Sequence, residues 1–319
     1  EALAGAGHVH LEDVDALPLP KGKRLVTTGG HYAYLKIAEG CDKHCTYCII
    51  PKIRGNYRSV PMERLVEEAE ELAGQGVKEL ILVAQETTLY GRDLYGKKSL
   101  HILLKKLCRI SGIRWIRILY CYPEEIDDAL IQVMKEEEKI CRYLDLPIQH
   151  ASDDILKRMG RRTSKEELVR IVEKLRAEIP DIALRTTLIT GFPGETKEQH
   201  EELLEFVDEM EFDRLGVFTY SPEEDTPAAG MSGQIDEEVK EERRAELMEL
   251  QQEIVFAQAD EMAGREMLVM VEGKVADENA YVGRTYKDAP NVDGLLFINT
   301  EEELMSGDFA RVKVTGALE

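Results

Sequence analysis

The sequence is poor in aromatic residues, has no long apolar run and carries far fewer basic than acidic side chains. Aromatic residues make up 6% of its 319 residues, with a single tryptophan. Because it has neither a bilayer-length apolar run nor a signal-peptide pattern, we expect no membrane segment and a cytoplasmic location. The 41 Lys and Arg against 62 Asp and Glu give a net charge of −21, which repels phosphate backbones and attracts basic partners.

Cysteines are few but unevenly placed. Three of the six, Cys41, Cys45 and Cys48, fall within eight residues. In a chain of this size without an export signal, such spacing indicates metal or redox chemistry and not disulfides. The remaining three lie singly in apolar segments, where free cysteine is a common small core residue. These three are Cys108, Cys121 and Cys141.

The crowded cysteines form a C-x3-C-x2-C motif whose thiolates favour an iron–sulfur cluster or zinc. A structural zinc site takes four ligands, usually from two pairs, and His44 in the same tight loop would complete the set only under strain. Three thiolates on a 4Fe–4S cluster leave one iron open to bind a small molecule. We therefore predict that Cys41, Cys45 and Cys48 ligate such a cluster; the alternative of another class is a non-catalytic, zinc-bound interaction module.

From about residue 32 to 215, short β-rich runs alternate with amphipathic helical patterns. Six strands in strict alternation with helices imply a parallel sheet, either open and doubly wound or a barrel incomplete relative to eight strands. In both cases functional residues gather where the strands end. The predicted strands are Ala33–Ala38, Glu79–Ala84, Trp115–Leu119, Tyr143–Leu146, Ala183–Thr190 and Arg214–Thr219.

The pattern changes after Pro222. A long, charge-rich helix is predicted from Asp236 to about Ala259, with a largely solvated face, and short strands joined by Gly, Asn and Asp turns follow it. We expect residues 31–235 to form the α/β domain, 236–262 a connecting helix and 263–319 a small antiparallel β-barrel. Residues 1–30, rich in Gly, Ala and Pro, read as a linker from an absent N-terminal domain, since the chain begins with Glu1.

The cysteine motif, with Tyr47 as the aromatic residue before its last cysteine, resembles that of the radical S-adenosylmethionine (SAM) superfamily. Other segments are similar to its methylthiotransferase branch, and within that branch to the RimO family. These segments are Cys41–Pro51, Gln85–Gly91, Leu146–Ser152, Gly191–Thr196, Tyr220–Glu223 and Gly283–Pro290.

The resemblance implies a partial, six-stranded parallel TIM-like β/α barrel followed by a TRAM-like β-barrel. It implies a methylthiotransferase that modifies the β-carbon of an aspartate in small-subunit ribosomal protein twelve. One SAM donates a methyl group, and a second is cleaved by an electron from the cluster to give a 5′-deoxyadenosyl radical. A reductant such as flavodoxin or ferredoxin is implied as a partner.

The family also carries a second 4Fe–4S cluster in an N-terminal domain with three cysteines of its own. The forty residues before Cys41 contain no cysteine. We therefore expect that domain, and the second cluster, only in a longer form of the protein, and we expect this chain alone not to complete the reaction.

Given the resemblance, five residues are predicted to contact SAM. Tyr47 belongs to the cluster motif, and Gln149 ends the fourth strand. Gly191 and Glu195 bound a loop expected to lie against the adenosine, for which the alternative is a plain strand-to-helix turn. Arg185 could bind the SAM carboxylate, or form an ion pair with an acid such as Asp145.

Three further residues are candidate substrate contacts. Arg54 and Arg58 follow the cysteine loop and could grip an acidic side chain, although a solvated loop explains them equally well. His150 could contact substrate or serve as a hydrogen-bonded structural residue.

The nearest rival function is methylthiolation of a tRNA adenosine, which shares the fold and clusters. Two features disfavour it. The tRNA branch usually has Gln-Ser-Gly where this chain has Gln149-His150-Ala151. Residues 257–319 contain 13 acidic and 6 basic side chains, which suits a basic protein better than RNA.

Overall fold

The computed structural model describes residues 13–16, 24–276 and 278–317, so most of the linker predicted over residues 1–30 lies outside the described residues. Strands occur in two groups separated by a long helix. They are β1 (Tyr32–Lys36), β2 (Ala38–Glu39), β3 (Arg58–Ser59), β4 (Glu79–Val83), β5 (Trp115–Ile118), β6 (Ile140–Gln149), β7 (Ala183–Thr190), β8 (Arg214–Thr219), β9 (Glu266–Lys274), β10 (Ala280–Thr285), β11 (Leu296–Asn299) and β12 (Phe309–Lys313).

The longer helices between the strands bury one apolar face each. In the second helix, for example, Leu65, Ala69 and Leu72 are buried at helical spacing. No helix in the described ranges is long and apolar enough to span a bilayer. The helices are α1 (Ile50–Arg54), α2 (Met62–Gly74), α3 (Arg92–Tyr95), α4 (Leu100–Cys108), α5 (Asp128–Glu136), α6 (Asp153–Arg158), α7 (Lys165–Glu178), α8 (Lys197–Met210) and α9 (Glu237–Glu261).

The main sheet is parallel, as the alternation predicted, and forms the six-stranded partial barrel that the resemblance implied. Its order is β1-β4-β5-β6-β7-β8, and every neighbouring pair is parallel. Side chains are buried along most of the inner strands, as in sheets covered by helices. The carboxyl ends of all six strands therefore lie at one rim of the barrel.

A small two-stranded ribbon interrupts the first predicted strand. The expected strand Ala33–Ala38 ends at Lys36, and β2 then pairs antiparallel with β3. The ribbon thus encloses the segment that carries the three crowded cysteines. It is this local pairing, absent from the periodicity, that fixes both ends of the cysteine loop at the rim.

The charge-rich helix α9 has the solvated face that its composition suggested, but it also has a buried face. It packs on β8 and α8 and buries Lys240, Arg243, Leu247, Gln251 and Ile254. These positions follow helical spacing, so they form one stripe on the barrel. The buried charges find partners in loops of the barrel, which a hydrophobic pattern cannot reveal.

The C-terminal strands form an antiparallel half-barrel of order β11-β10-β9-β12. It seats against the amino ends of the main strands, opposite the cysteine loop. Buried Glu79 of β4 lies 2.8 Å from Arg117 of β5 and 2.6 Å from Arg284 of β10. The Tyr143 hydroxyl donates to Asp293 at 2.8 Å. The two parts therefore share a polar, solvent-excluded interface.

Candidate functional site

The three crowded cysteines lie on the loop between β2 and α1, at the carboxyl rim of the barrel. All are free thiols; Cys41 and Cys45 are buried and Cys48 is partly exposed. Burial is the main cause that raises the pKa of Cys41 to about 11 and that raises the pKa of Cys48. Thiols in this setting ionise when a metal centre takes them as ligands.

The cysteine loop is held by its backbone. Gly40 has φ +79°, and a Cβ there would overlap the carbonyl of Asn56. The Cys41 amide donates to the Gly55 carbonyl at 3.2 Å, and the Thr46 amide to the Met159 carbonyl at 2.9 Å. These contacts fix both the start and the middle of the loop before any ligand arrives.

A tyrosine contacts Cys45, the middle cysteine, and two cationic side chains lie over the ring of that tyrosine. The Tyr122 hydroxyl is 3.7 Å from Cys45 Sγ. The guanidinium of Arg161 lies 4.3 Å from the centre of the Tyr122 ring, and the Lys43 ammonium lies 4.9 Å from it. Sequence reasoning missed Arg161, since one arginine in a basic run after α6 gives no sign that it is buried.

A cleft of about 240 Å³ opens beside the loop, at the carboxyl ends of β6, β7 and β8. It brings together Tyr47 and Gln149, two of the predicted cofactor contacts. Gln149 has φ +73° and a buried side-chain oxygen with no hydrogen-bond partner among the described residues. The cleft is lined by Tyr47, Gln149, Thr187, Ile189, Phe218, Thr219, Tyr220 and Ser221.

The loop from Gly191 to Glu195 lies behind this cleft, and neither end residue lines it. Gly191 has φ +67°, and a Cβ there would overlap the side chain of Lys240. The buried Glu195 carboxylate accepts from the Phe192 amide at 3.1 Å and lies 3.0 Å from Arg243. Burial raises the pKa of Glu195, and Arg243 opposes that shift. Glu195 therefore braces its own loop.

Arg185 forms the ion pair that the sequence left as its alternative role. It lies 2.8 Å from Asp145, opposite it in the β6–β7 register, and 3.5 Å from Asp293 of the half-barrel. It is not among the residues that line the cleft. Its guanidinium links the barrel interior to the C-terminal part.

The three candidate substrate contacts lie apart from the cleft. The Arg58 guanidinium donates to the Val14 carbonyl at 3.0 Å and lies 3.3 Å from Asp15. Arg54 is exposed. His150 is fully buried and accepts from the Ser152 amide at 2.9 Å; burial lowers its pKa to about 3, so the ring is neutral. The structure brings none of the three into the cleft.

A buried carboxylate follows β4 at the same rim. Glu86 accepts from the Thr88 amide at 2.8 Å, and its other oxygen has no partner among the described residues. Burial raises the pKa of Glu86 to about 7. The strand-end position of Gln85 and Glu86 was visible in the sequence, but their burial was not.

Within the described part of the chain, no set of three or more Cys, His, Asp and Glu side chains is arranged to hold a single metal ion. A four-iron cluster has a different requirement, because each thiolate binds a different iron atom. The assignment of Cys41, Cys45 and Cys48 therefore rests on their spacing, their common loop and the family comparisons.

Comparison with known families identifies the class. Residues 35–207 match the radical SAM superfamily, and residues 263–319 match the TRAM domain. Among solved structures, methylornithine synthase (PylB) shares the fold with a TM-score of 0.50 at 18% identity, over 70% of this chain and 64% of that one. The radical SAM methyltransferase TsrM from Kitasatospora setae gives 0.50 at 20% identity, over 60% and 36%. The chain is thus a radical SAM protein.

Curated relatives identify the family within the radical SAM superfamily. A protein of Lachnoclostridium phytofermentans named ribosomal protein uS12 methylthiotransferase RimO is 66% identical over 319 residues, which cover 100% of this chain and 72% of that protein. One of the same name from Clostridium botulinum strain Hall is 52% identical over 299 residues, 94% of this chain and 67% of the relative. The chain belongs to the RimO family.

Proposed function

We propose that this chain provides the radical-generating part of an enzyme that methylthiolates the β-carbon of an aspartate in ribosomal protein uS12. The observation that carries the proposal is the 66% identity, over the whole chain, to a relative named for that activity. The C-x3-C-x2-C loop at the carboxyl rim supports it, because this rim is where β/α barrels place their chemistry.

Cys41, Cys45 and Cys48 would hold a 4Fe–4S cluster with one iron free of protein ligands. The fit is supported by three free thiols on one preformed loop. Unpartnered polar atoms of Arg161 and Gln149 beside that loop and its cleft also support it, since buried polar groups in a finished site have partners. When bound, the cluster supplies the electron that cleaves SAM.

The chain's own residues would bind and orient SAM in the cleft. Tyr47 and Gln149 line it, and the Gln149 oxygen can accept a hydrogen bond from a hydroxyl group. Gly191 and Glu195 do not line the cleft and would act indirectly, by fixing the backbone of the loop next to it. Holding donor and target close and excluding water matters here, because a primary radical attacks almost any C–H bond.

The protein substrate is proposed to approach the rim from solvent. Of the candidate contacts, Arg54 is exposed and its only ion-pair partner among the described residues, Glu39, is 3.9 Å away. It is thus better placed to meet an acidic side chain than Arg58 or buried His150. The net −7 of residues 257–319 favours a basic protein over tRNA. A flavodoxin- or ferredoxin-type reductant, and a second cluster in a longer form, complete the proposal.

Mass spectrometry of ribosomal protein uS12 and of bulk tRNA from a strain lacking the gene tests this function. We expect loss of one methylthio group from uS12 and unchanged tRNA nucleosides, with recovery when the gene is restored. Loss of the modification confined to tRNA would contradict the proposal and favour the tRNA-modifying rival.

A further inference from the structure

Arg161 is a buried cation with too few partners. Its side chain is 0% exposed. One terminal nitrogen, Nη2, donates to the Pro147 carbonyl at 3.0 Å and lies 3.5 Å from Glu124. The other two, Nε and Nη1, have no hydrogen-bond partner among the described residues. A guanidinium carries five N–H donors, and leaving them unpaired away from water is costly.

The carboxylates nearby do not supply the missing acceptors. Glu124 is shared with Lys43, which lies 3.8 Å from it and 2.6 Å from Glu125. Glu125 in turn lies 2.7 Å from Lys98. The acids of this cluster are thus engaged by lysines, and the free N–H groups of Arg161 require another acceptor.

The backbone places Arg161 against the cysteine loop. Thr46, inside the C-x3-C-x2-C motif, donates its amide to the Met159 carbonyl at 2.9 Å and its hydroxyl to the Arg158 carbonyl at 2.8 Å. The Arg161 side chain then stacks on Tyr122, whose hydroxyl is 3.7 Å from Cys45 Sγ. The turn that holds the loop therefore also places the guanidinium on the tyrosine ring whose hydroxyl contacts the middle cysteine.

We propose that Arg161 donates hydrogen bonds, through Nε and Nη1, to the anionic sulfur atoms around Cys45 once the cluster is bound. The inference rests on the proposed cluster site and adds a positioning residue that sets the cluster's reduction potential. Hydrogen bonds and positive charge at the sulfurs stabilise the more negative, reduced cluster, so they raise that potential. The carboxylate of SAM is the other anion that could take these donors.

The test compares Arg161→Gln and Arg161→Lys with Arg162→Gln, in which the neighbouring arginine is exposed. Each full chain is reconstituted anaerobically with iron and sulfide, and its midpoint potential is measured without SAM by spectroelectrochemistry. We expect Arg161→Gln to lower the potential by about 59 mV, a tenfold change for one electron. Arg161→Lys should lower it less, and Arg162→Gln should leave it unchanged.

Unchanged potentials in both Arg161 variants, with cluster content equal to wild type, would overturn the inference. If the potentials stay unchanged while SAM affinity falls tenfold, the acceptor is the SAM carboxylate and the sulfur assignment is wrong. Should Arg161→Gln fail to retain iron, the potential of Arg161→Lys decides. If the wild-type chain itself takes up no cluster, the proposed function fails, and this inference with it.

Discussion

Two glycines at the rim adopt left-handed backbone conformations that residues with a Cβ disfavour. Gly40 and Gly191 both have positive φ and both face backbone or side-chain atoms where a Cβ would go. The cysteine loop could be recognised from the sequence, because Cys41, Cys45 and Cys48 fall within eight positions. For Arg185 the sequence left two roles open, and its ion pair with Asp145 is the second of them. The burial of Arg161 was not predictable, because its contacts come from distant segments.

Substitution of Gly191 by alanine tests how tightly its loop is packed. The left-handed φ costs about 1–2 kcal/mol for a residue with a Cβ, and overlap with Lys240 adds strain. We expect Gly191→Ala to lower the free energy of unfolding by roughly 2 kcal/mol or more in a urea titration and to weaken SAM binding. Gly230→Ala is the control, since open space surrounds that position; equal effects of the two would contradict the packing described.

The neutral state of His150 predicts a pH dependence of stability. Its pKa falls from 6.5 to about 3 on burial, with His200 and Arg243 adding to the shift. Above pH 6.5 the fold has its full stability, because the ring is neutral in both the folded and the unfolded state. As the pH falls towards 3, the unfolded chain binds a proton that the folded protein does not, and stability is lost. Each pH unit in this window costs about 1.4 kcal/mol.

The measurement is the free energy of unfolding between pH 7 and 4.5 for wild type and His150→Asn. We expect the wild-type stability to fall more steeply, and the difference between the two curves isolates His150 from the carboxylates that titrate in the same range. Parallel curves would show that the ring is accessible to protons in the folded protein.

Among the secondary-structure elements, α9 couples the end of the barrel to the site. Its Lys240 donates to the Tyr220 carbonyl at 2.9 Å, and Arg243 lies 3.0 Å from Glu195. The strand and helix positions were predictable because their periodicity is local. The role of α9 was not, since its inward face is built from charged residues whose partners lie some 20 to 50 positions away.

Removal of the Arg243 charge should destabilise the loop from Gly191 to Glu195. Arg243→Met leaves the Glu195 carboxylate buried without its cation, and breaking such a pair costs about 3–5 kcal/mol. We expect a loss of that order in chemical denaturation and weaker SAM binding. Arg244→Met, which removes an exposed pair with Glu241, should change stability by less than about 0.5 kcal/mol. Similar values for the two variants would refute the bracing role.

In the molecule as a whole, the half-barrel closes the amino end of the barrel and leaves the carboxyl rim for chemistry. The single tryptophan reports on this junction, because Trp115 of β5 packs edge-on against Phe309 of β12 at 4.9 Å. This buried, charged interface could not be predicted from the barrel or the half-barrel alone. The charge of Glu79 is neutralised by Arg117 of the barrel and by Arg284 of the half-barrel.

We predict that the two parts unfold together. In urea, Trp115 fluorescence and far-UV circular dichroism should give coincident transitions. Arg284→Met should move both transitions to a lower urea concentration, because it removes a buried partner of Glu79. The free energy of unfolding should fall by about 3 kcal/mol. Arg311→Met, at an exposed position of β12, should shift neither. Fluorescence that changes well before the dichroism would show independent domains.

The most direct test of the central claim is iron and sulfide content after anaerobic reconstitution, with a 5′-deoxyadenosine assay under dithionite. We expect about four iron atoms in this chain, as one 4Fe–4S cluster requires, and cleavage of SAM. Cys41→Ala, Cys45→Ala and Cys48→Ala should each abolish cleavage, whereas Cys108→Ala, matched in chemistry but buried in the core, should not. A colourless, zinc-containing protein that leaves SAM intact would contradict the account.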